Sequence, residues 1–414
     1  MTLRDRSGHS PGRRSLLKAL AAGAAAFISP ALPAAARRAA PQVSSLLPVR
    51  KDGMLYRRLG RTGLLISEVS LGGSPMPEER LLTQLIERGI NYIDTSDSYE
   101  NGNCERKVGR LFKAFGRDRI HVHARFHLQG PWTEASLIAS VESSLRRLGT
   151  DHADILGIHG VESPAHVTDE RILGAFEKLR AQGKFRFRGL TCHVNQHEVI
   201  PAAVASGHYD MVQIGYNVFD ILETEKNVRT YSDYLGESGI RRLIDLCHGK
   251  DVGVTAMKVL KVGGRRQELP PVAKGGASIF PAMIAWALEN PKLAAVVTEI
   301  LNEQEMAEDL GAVGKRLTAS ERGRLGAHVA AHAKTTCHMC GLCESACPAG
   351  IETARIARGL AYHESYGKTA RARAELSALA ESVSSCRDCG ACERACPYGL
   401  AVRERTRRAM ALVA

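Results

Sequence analysis

LGTDHADILGIHG, residues Leu148–Gly160, is the stretch on which the fold turns. A helix-like run from Thr133 ends at Leu148. A short apolar strand candidate, Asp154–Ile158, follows and stops at His159 and Gly160. The same alternation of short strand and amphipathic helix runs from about Met54. The other strand candidates are Ile66–Leu71, Tyr92–Asp94, Ile120–Ala124, Phe187–Leu190, Met211–Ile214, Val252–Ala256 and Ala294–Val297. Helix candidates between them include Glu78–Arg88, Thr133–Leu148, Asp169–Gln182, Ile240–Gly249 and Ile279–Glu289. Eight strands, each followed by a helix, over about 270 residues predict an α/β fold, a TIM (β/α)8 barrel. No G-x-G-x-x-G follows a strand and no Walker loop occurs, so Rossmann and P-loop readings lack support.

Outward from the barrel, the C-terminal part holds eight of the eleven cysteines in two matching runs. Cys337, Cys340, Cys343 and Cys347 are followed by Pro348; Cys386, Cys389, Cys392 and Cys396 are followed by Pro397. Both read Cys-x2-Cys-x2-Cys-x3-Cys-Pro, the ligand spacing of a protein with two [4Fe-4S] clusters. In two-cluster ferredoxins the fourth cysteine of each run ligates the other cluster. One cluster is therefore assigned to Cys337, Cys340, Cys343 and Cys396, the other to Cys386, Cys389, Cys392 and Cys347. Zinc, which prefers two Cys-x2-Cys pairs, gives no reason for the repeated x3-Cys-Pro ending. Gly341 and Gly390 share one offset, where backbone must pass close to sulfide. The connector reads as helical at Thr353–Tyr362 and Thr369–Ser382. This makes the tail a small, mostly α-helical, two-cluster ferredoxin-like domain. Cys104, Cys192 and Cys247 are isolated and read as buried thiols.

A chain of 414 residues allows about two or three domains, and 44% hydrophobic residues suffice for a sizeable core. The boundaries read as 1–36 leader, 37–53 linker, 54–325 barrel and 326–414 cluster domain. The net charge is +12, of which the first 36 residues carry +4. Lysines and arginines are scattered without an aromatic-interleaved stripe, which argues against nucleic-acid binding. Arg403, Arg405, Arg407 and Arg408 read as a solvated helix face, with docking of an acidic partner as the alternative.

The leader has the pattern of a twin-arginine export signal. Arg13-Arg14-Ser15-Leu16-Leu17-Lys18 precedes an Ala-rich, mildly apolar segment, and Ala34-Ala35-Ala36 offers a cleavage site. The apolar segment is too short to span a bilayer, so no stable membrane span is expected after cleavage. A periplasmic or otherwise exported location follows. Cluster thiolates would pair into disulfides if assembled in an oxidising compartment. Export in the folded, loaded state removes that conflict.

A TIM barrel puts its chemistry at the C-terminal strand ends. There stand Gly72-Gly73, Asp94, Arg125, His159, Thr191 with His193, Gln213 to Asn217, Lys258 and Thr298. In these segments the chain resembles the aldo-keto reductase superfamily. The resemblance runs through YRRLGRTGLLISEVSLGG (Tyr56–Gly73), INYIDTSDSYENGNCERKVGRLF (Ile90–Phe112), LGTDHADILGIHG, GKFRFRGLTCH (Gly183–His193) and MVQIGYN (Met211–Asn217). CGACERACPYGLAVRE (Cys389–Glu404) is similar to the ending of that superfamily's ferredoxin-containing branch.

The resemblance implies Tyr99 as general acid, Asp94 as its supporting carboxylate and His159 as the carbonyl-orienting imidazole. The family's lysine is replaced by Arg125, a fixed cation able to stabilise a phenolate but not to titrate. Gln213 and Tyr216 become the cofactor-side residues, Tyr216 as a ring that stacks on a planar one. Where the family grips the NADPH 2′-phosphate with Lys and Arg, VVTEILNEQEMAEDL (Val296–Leu310) offers only acids. NADPH is therefore disfavoured, with NAD or no nicotinamide left open.

The leading expectation is an exported iron–sulfur oxidoreductase acting on a carbonyl or alcohol and passing electrons to a redox protein or quinone-linked carrier. The alternatives are an electron-transfer subunit whose barrel only docks or binds a ligand, and a nicotinamide reductase.

Overall fold

A computed structural model describes residues 48–128, 132–218, 240–260, 278–332, 337, 341–364 and 367–414. The leader, with Arg13 and Arg14, and Cys340 lie outside these residues. Eight parallel strands close a barrel in sequence order: β4 (Val69–Gly72), β5 (Tyr92–Ser96), β6 (His121–His127), β7 (Ala153–His159), β8 (Phe185–Cys192), β9 (Met211–Gly215), β10 (Gly253–Met257) and β11 (Ala295–Thr298). Each expected strand is present within a few residues. Period-2 alternation sorts their side chains. On β6, Val122, Ala124 and Phe126 join the apolar layer beneath the helices, and His123 and Arg125 are buried outside it.

Before the barrel, β1 (Val49–Lys51), β2 (Met54–Arg58) and β3 (Leu65–Ser67) form an antiparallel sheet. Leu59, Leu64 and Ile66 pack with Tyr92, Ile155, Met211 and Ala295, so the sheet plugs the N-terminal end of the barrel. This corrects two expectations. Residues 49–51 of the supposed linker pair as a strand. The single strand Ile66–Leu71 is broken at Glu68, which is fully buried and bound to Arg57 Nη2 at 2.8 Å.

The boundary at 325/326 is also corrected. It falls inside the helix Ala319–His332, whose Leu325 and Val329 belong to the barrel core. The tail then carries short helices at Leu342–Ser345 and Ala391–Arg394 and longer ones at Thr353–Glu364, Thr369–Ser377, Ala380–Ser384 and Val402–Met410. The expected helix Thr369–Ser382 is interrupted at Ala378 and Leu379, and Leu379 turns into the tail's own core with Leu376. Gly341 and Gly390 open the two short helices with φ of 84° and 70°, a left-handed conformation that favours glycine.

Barrel and tail form one compact unit. Glu162, after β7, accepts from Arg358 and lies 3.6 Å from Arg355. Lys368 donates to Ser74 Oγ at 3.3 Å. Val194, after β8, packs on Ala354 and Cys337. Among the described residues no helix is long and apolar enough to cross a membrane.

Candidate active site

The barrel mouth is built round a buried ion pair. Asp94 sits in the middle of β5, deep in the barrel and 3% exposed. Its Oδ2 accepts from Arg125 Nη2 at 2.5 Å and from Gln213 Nε2 at 3.2 Å. Thr255 holds the other end of Gln213, donating to Oε1 at 3.1 Å. Arg125 also donates to Thr191 Oγ1 at 3.3 Å and to the Tyr99 hydroxyl oxygen at 2.7 Å. Glycine makes the room. A Cβ on Gly157 would lie 2.3 Å from His123 Nε2, and one on Gly189 2.9 Å from the same atom. His123 in turn lies 3.4 Å from Asp94.

Burial sets the electrostatics. It raises Asp94 to about 6 despite Arg125 and the Gln213 hydrogen bond. Burial also opposes the charge on Arg125, but Asp94 and Tyr99 more than offset it. Tyr99 reverses an expectation: burial outweighs the neighbouring cation, and the phenol is pushed up to about 12. It is a hydrogen-bond donor that keeps its proton at neutral pH. Burial, then Arg125, His127, His193 and Arg371, hold His159 well below the usual histidine range. The His159 ring meets Tyr99 edge-on at 5.4 Å and His193 at 5.4 Å.

These side chains surround a cavity of about 170 Å³. Asp94, Tyr99, His159, His193 and Gln213 form its floor. Glu299 and Glu305 stand after β11; Lys258 follows β10 with a left-handed φ of 58°. The roof comes from the tail, as Tyr362, Lys368 and Arg371. Sequence reasoning missed the roof, because nothing local marks a helix as covering a site far away in the chain. Of the residues singled out from sequence, Asp94, Tyr99, Arg125, His159 and Gln213 come together. Tyr216 does not join them. It is 1% exposed and stacks on Trp286 at 4.8 Å, so one face of its ring is already covered.

The described cysteines of the tail gather in two groups. Cys337, Cys343 and Cys396 line one cavity; Cys347, Cys386, Cys389 and Cys392 line another. Each group mixes the two sequence runs. Among the described residues, no three His, Cys, Asp or Glu side chains converge tightly enough for a single metal ion. The thiols stand around open cavities, an arrangement that fits a cluster several atoms across. Thr353 donates to Cys343 Sγ at 2.9 Å. The arginines after the second run are engaged within the tail: Arg403 with Glu393 and Asp388, Arg407 with Asp388, and Arg408 with Glu364. Cys104, Cys192 and Cys247 are buried thiols, as their isolation predicts.

A closed parallel barrel with a buried acid, guanidinium, phenol and imidazoles at its mouth, seamed to a cysteine-lined tail, defines an oxidoreductase. Residues 73–270 match the aldo/keto reductase family, and residues 333–400 match a 4Fe-4S dicluster domain. The chain thus carries an aldo/keto reductase domain followed by a 4Fe-4S dicluster domain, and is an iron–sulfur oxidoreductase. The uncharacterized oxidoreductase YqkF of Bacillus subtilis (strain 168) is 27% identical over 301 residues, 66% of this chain and 96% of its own. L-galactose dehydrogenase of Arabidopsis thaliana is 25% identical over 294 residues, 62% of this chain and 87% of its own. The holo form of aldo-keto reductase AKR11C1 from Bacillus halodurans superposes with a TM-score of 0.51 at 23% identity, over 66% of this chain and 96% of that one. That superposition concerns the fold.

Proposed function

We propose that the protein interconverts an alcohol and a carbonyl compound in the barrel and exchanges the electrons, one at a time, through two [4Fe-4S] clusters in the tail. The observation that carries this reading is the seam. The cysteine group of Cys337 packs on Val194, next to the cavity-lining His193, while Tyr362 and Arg371 roof the same cavity. When bound, the clusters would supply one-electron steps at low potential. The chain's own residues orient the substrate. Tyr99 donates a hydrogen bond to the reacting oxygen, His159 faces that oxygen, and the Asp94–Arg125 pair fixes the phenol.

Several features argue against NADPH. Glu299 and Glu305 line the cavity. At the start of the helix Glu303–Leu310, the Leu301 amide donates to Glu305 at 2.7 Å and the Glu305 amide to Asn302 at 2.9 Å. Amides that would hold a phosphate are already engaged. The twin-arginine pattern at Arg13 and Arg14 supports an exported location and, with it, a redox protein or quinone-linked carrier as electron partner. Replacing Arg13 and Arg14 by Lys should then retain it inside the cell.

The deciding experiment mixes anaerobic, oxidised holoprotein with a panel of small alcohols and sugars and follows the visible absorbance of the clusters. Bleaching by a panel member, lost in Tyr99→Phe, is expected, with about eight iron and eight sulfide per chain. Bleaching by dithionite but by no panel member, or undiminished bleaching in Tyr99→Phe, would overturn the reading in favour of a non-catalytic docking barrel.

A further inference from the structure

If the barrel interconverts alcohol and carbonyl, as proposed above, the substrate oxygen must exchange a proton with solvent in either direction. The exit through Arg125 is closed. Tyr99 accepts from Arg125, and a guanidinium does not give up a proton near neutrality, so nothing passes from Tyr99 through Arg125 to Asp94. Above the cavity stand Tyr362, Lys368 and Arg371 from the tail.

Another path is continuous. His159 lines the cavity, and its Nδ1 is 2.9 Å from Ser96 Oγ. Ser96 Oγ is 3.0 Å from Asp97 Oδ1 and 3.3 Å from His127 Nδ1. His127 Nδ1 lies 3.0 Å from that same Asp97 oxygen, and the His127 and His159 ring centroids are 3.9 Å apart. Exposure rises along the path. Ser96 is fully buried, whereas the side chains of Asp97 and His127 are 17% and 20% exposed. Adjacent strands build it: Ser96 sits beside Arg125 and His127 beside His159.

We propose that His159, Ser96, Asp97 and His127 form a proton relay between the substrate oxygen and solvent, and that His159, not Tyr99, exchanges the proton. The directions of the bonds follow from Asp97. Although burial opposes its charge, the contacts with His127 and Ser96 hold it below the usual carboxylate range, so it is an ionised acceptor. Ser96 must then donate to Asp97, which leaves the Ser96 oxygen to accept from His159 Nδ1–H. His159 therefore rests with Nδ1 protonated and Nε2 bare, poised to take the alcohol's proton. Oxidation sends two electrons to the clusters and releases two protons: the hydroxyl proton enters at Nε2 while the Nδ1 proton moves to Ser96 and the Ser96 proton moves to Asp97 or His127, and after the relay resets the carbon-bound hydrogen leaves as the second proton by the same path. Reduction runs the same path in reverse, and His159 ends each transfer neutral. The groups facing His159 are Tyr99, Arg125 and His127, His193 on the strand-eight side, and Arg371 from the roof. All four of the ionisable bases among them disfavour an imidazolium, which suits a neutral, concerted transfer.

The test is nitrogen-15 NMR of histidine-labelled, oxidised holoprotein, with His159 assigned from a His159→Gln spectrum. The wild type should carry the His159 proton on Nδ1. Ser96→Ala should move much of it to Nε2, and Ser96→Thr, which restores a hydroxyl, should keep it on Nδ1. A wild-type proton on Nε2, or a tautomer indifferent to Ser96→Ala, overturns the relay. With any alcohol that bleaches the clusters, Ser96→Ala should lower kcat about tenfold or more with KM little changed, and Ser96→Thr should recover it. An unchanged kcat also overturns the relay while leaving the proposed reaction intact. The tautomer can be read even if no alcohol reacts, so the two ideas fail separately.

Discussion

Arg125→Met tests the buried charge at the centre of the barrel. Asp94 is 3% exposed, and the model-compound value of 3.8 becomes about 6 in the fold, with Arg125 the strongest influence holding it down. Because the folded value is the higher one, the folded chain binds this proton more tightly than the unfolded chain. Ionising Asp94 therefore costs stability as pH rises from about 4 to 6. That rise in the Asp94 value corresponds to ~3 kcal/mol above pH 6. Without Arg125 the carboxyl rises further, and each added unit costs about 1.4 kcal/mol at pH values above the new one. Removing one partner of a buried pair typically costs about 3–5 kcal/mol. At roughly 2–4 °C per kcal/mol, the thermal midpoint of the variant should fall on the order of 10 °C at pH 8. At pH 5 the folded Asp94 is mostly protonated in both proteins, so the loss should be smaller. Arg125→Lys keeps the charge and should lose much less. Far-UV circular dichroism melts of holoprotein at the two pH values supply the comparison. A variant equally destabilised at both, or more at pH 5, would show that Asp94 does not carry this charge.

If Tyr99 donates to the reacting oxygen as proposed, Tyr99→Phe should drop turnover about 10²–10³-fold with the melting temperature nearly unchanged, as paired kinetics and melts would show. The segment after β11 offers a 2′-phosphate Glu299, Glu303 and Glu305 and no Lys or Arg through Leu310; two missing charge-assisted bonds at about 1.5–3 kcal/mol each should leave NADPH affinity at least about a hundredfold weaker, and micromolar binding by calorimetry would contradict this. Gly157→Ala forces a methyl to within 2.3 Å of His123 Nε2, and denaturant titration should register a loss of about 1–3 kcal/mol. Val194→Asp puts a charge into the seam with Ala354 and Cys337; limited proteolysis should then cut between barrel and tail, where the parent protein resists.

The barrel was legible because its signal is periodic and local. Most strand candidates alternate or run apolar for a few residues and stop at a polar or glycine residue. The floor of the site was legible for the same reason, since Asp94, Arg125, His159 and Gln213 each lie within a residue of the end of a strand candidate. What stayed hidden depends on register and distance. His127 stands beside His159 because β6 and β7 align those two residues. The inward alternation of HVHARFH was the available clue. Tyr362, Lys368 and Arg371 reach the cavity because contacts such as Arg358 with Glu162, Lys368 with Ser74 and Val194 with Ala354 dock the tail, and no spacing rule encodes that. Tyr216 shows the converse failure: a strand-end aromatic looks available until Trp286 is found stacked on it.

The mixing of cysteines between the two cavities has a consequence for how the chain is made. Cys337 shares a cavity with Cys396, and Cys347 shares one with Cys386. On a ribosome the first run emerges well before the second, yet the set with Cys347 waits for Cys392 and the set with Cys337 waits for Cys396. A chain stalled or cut just before Cys396 would leave the first cavity short of a ligand, although the whole barrel would already exist. Loading is thereby deferred until the second run has been made, and that run acts as a checkpoint on the barrel that precedes it.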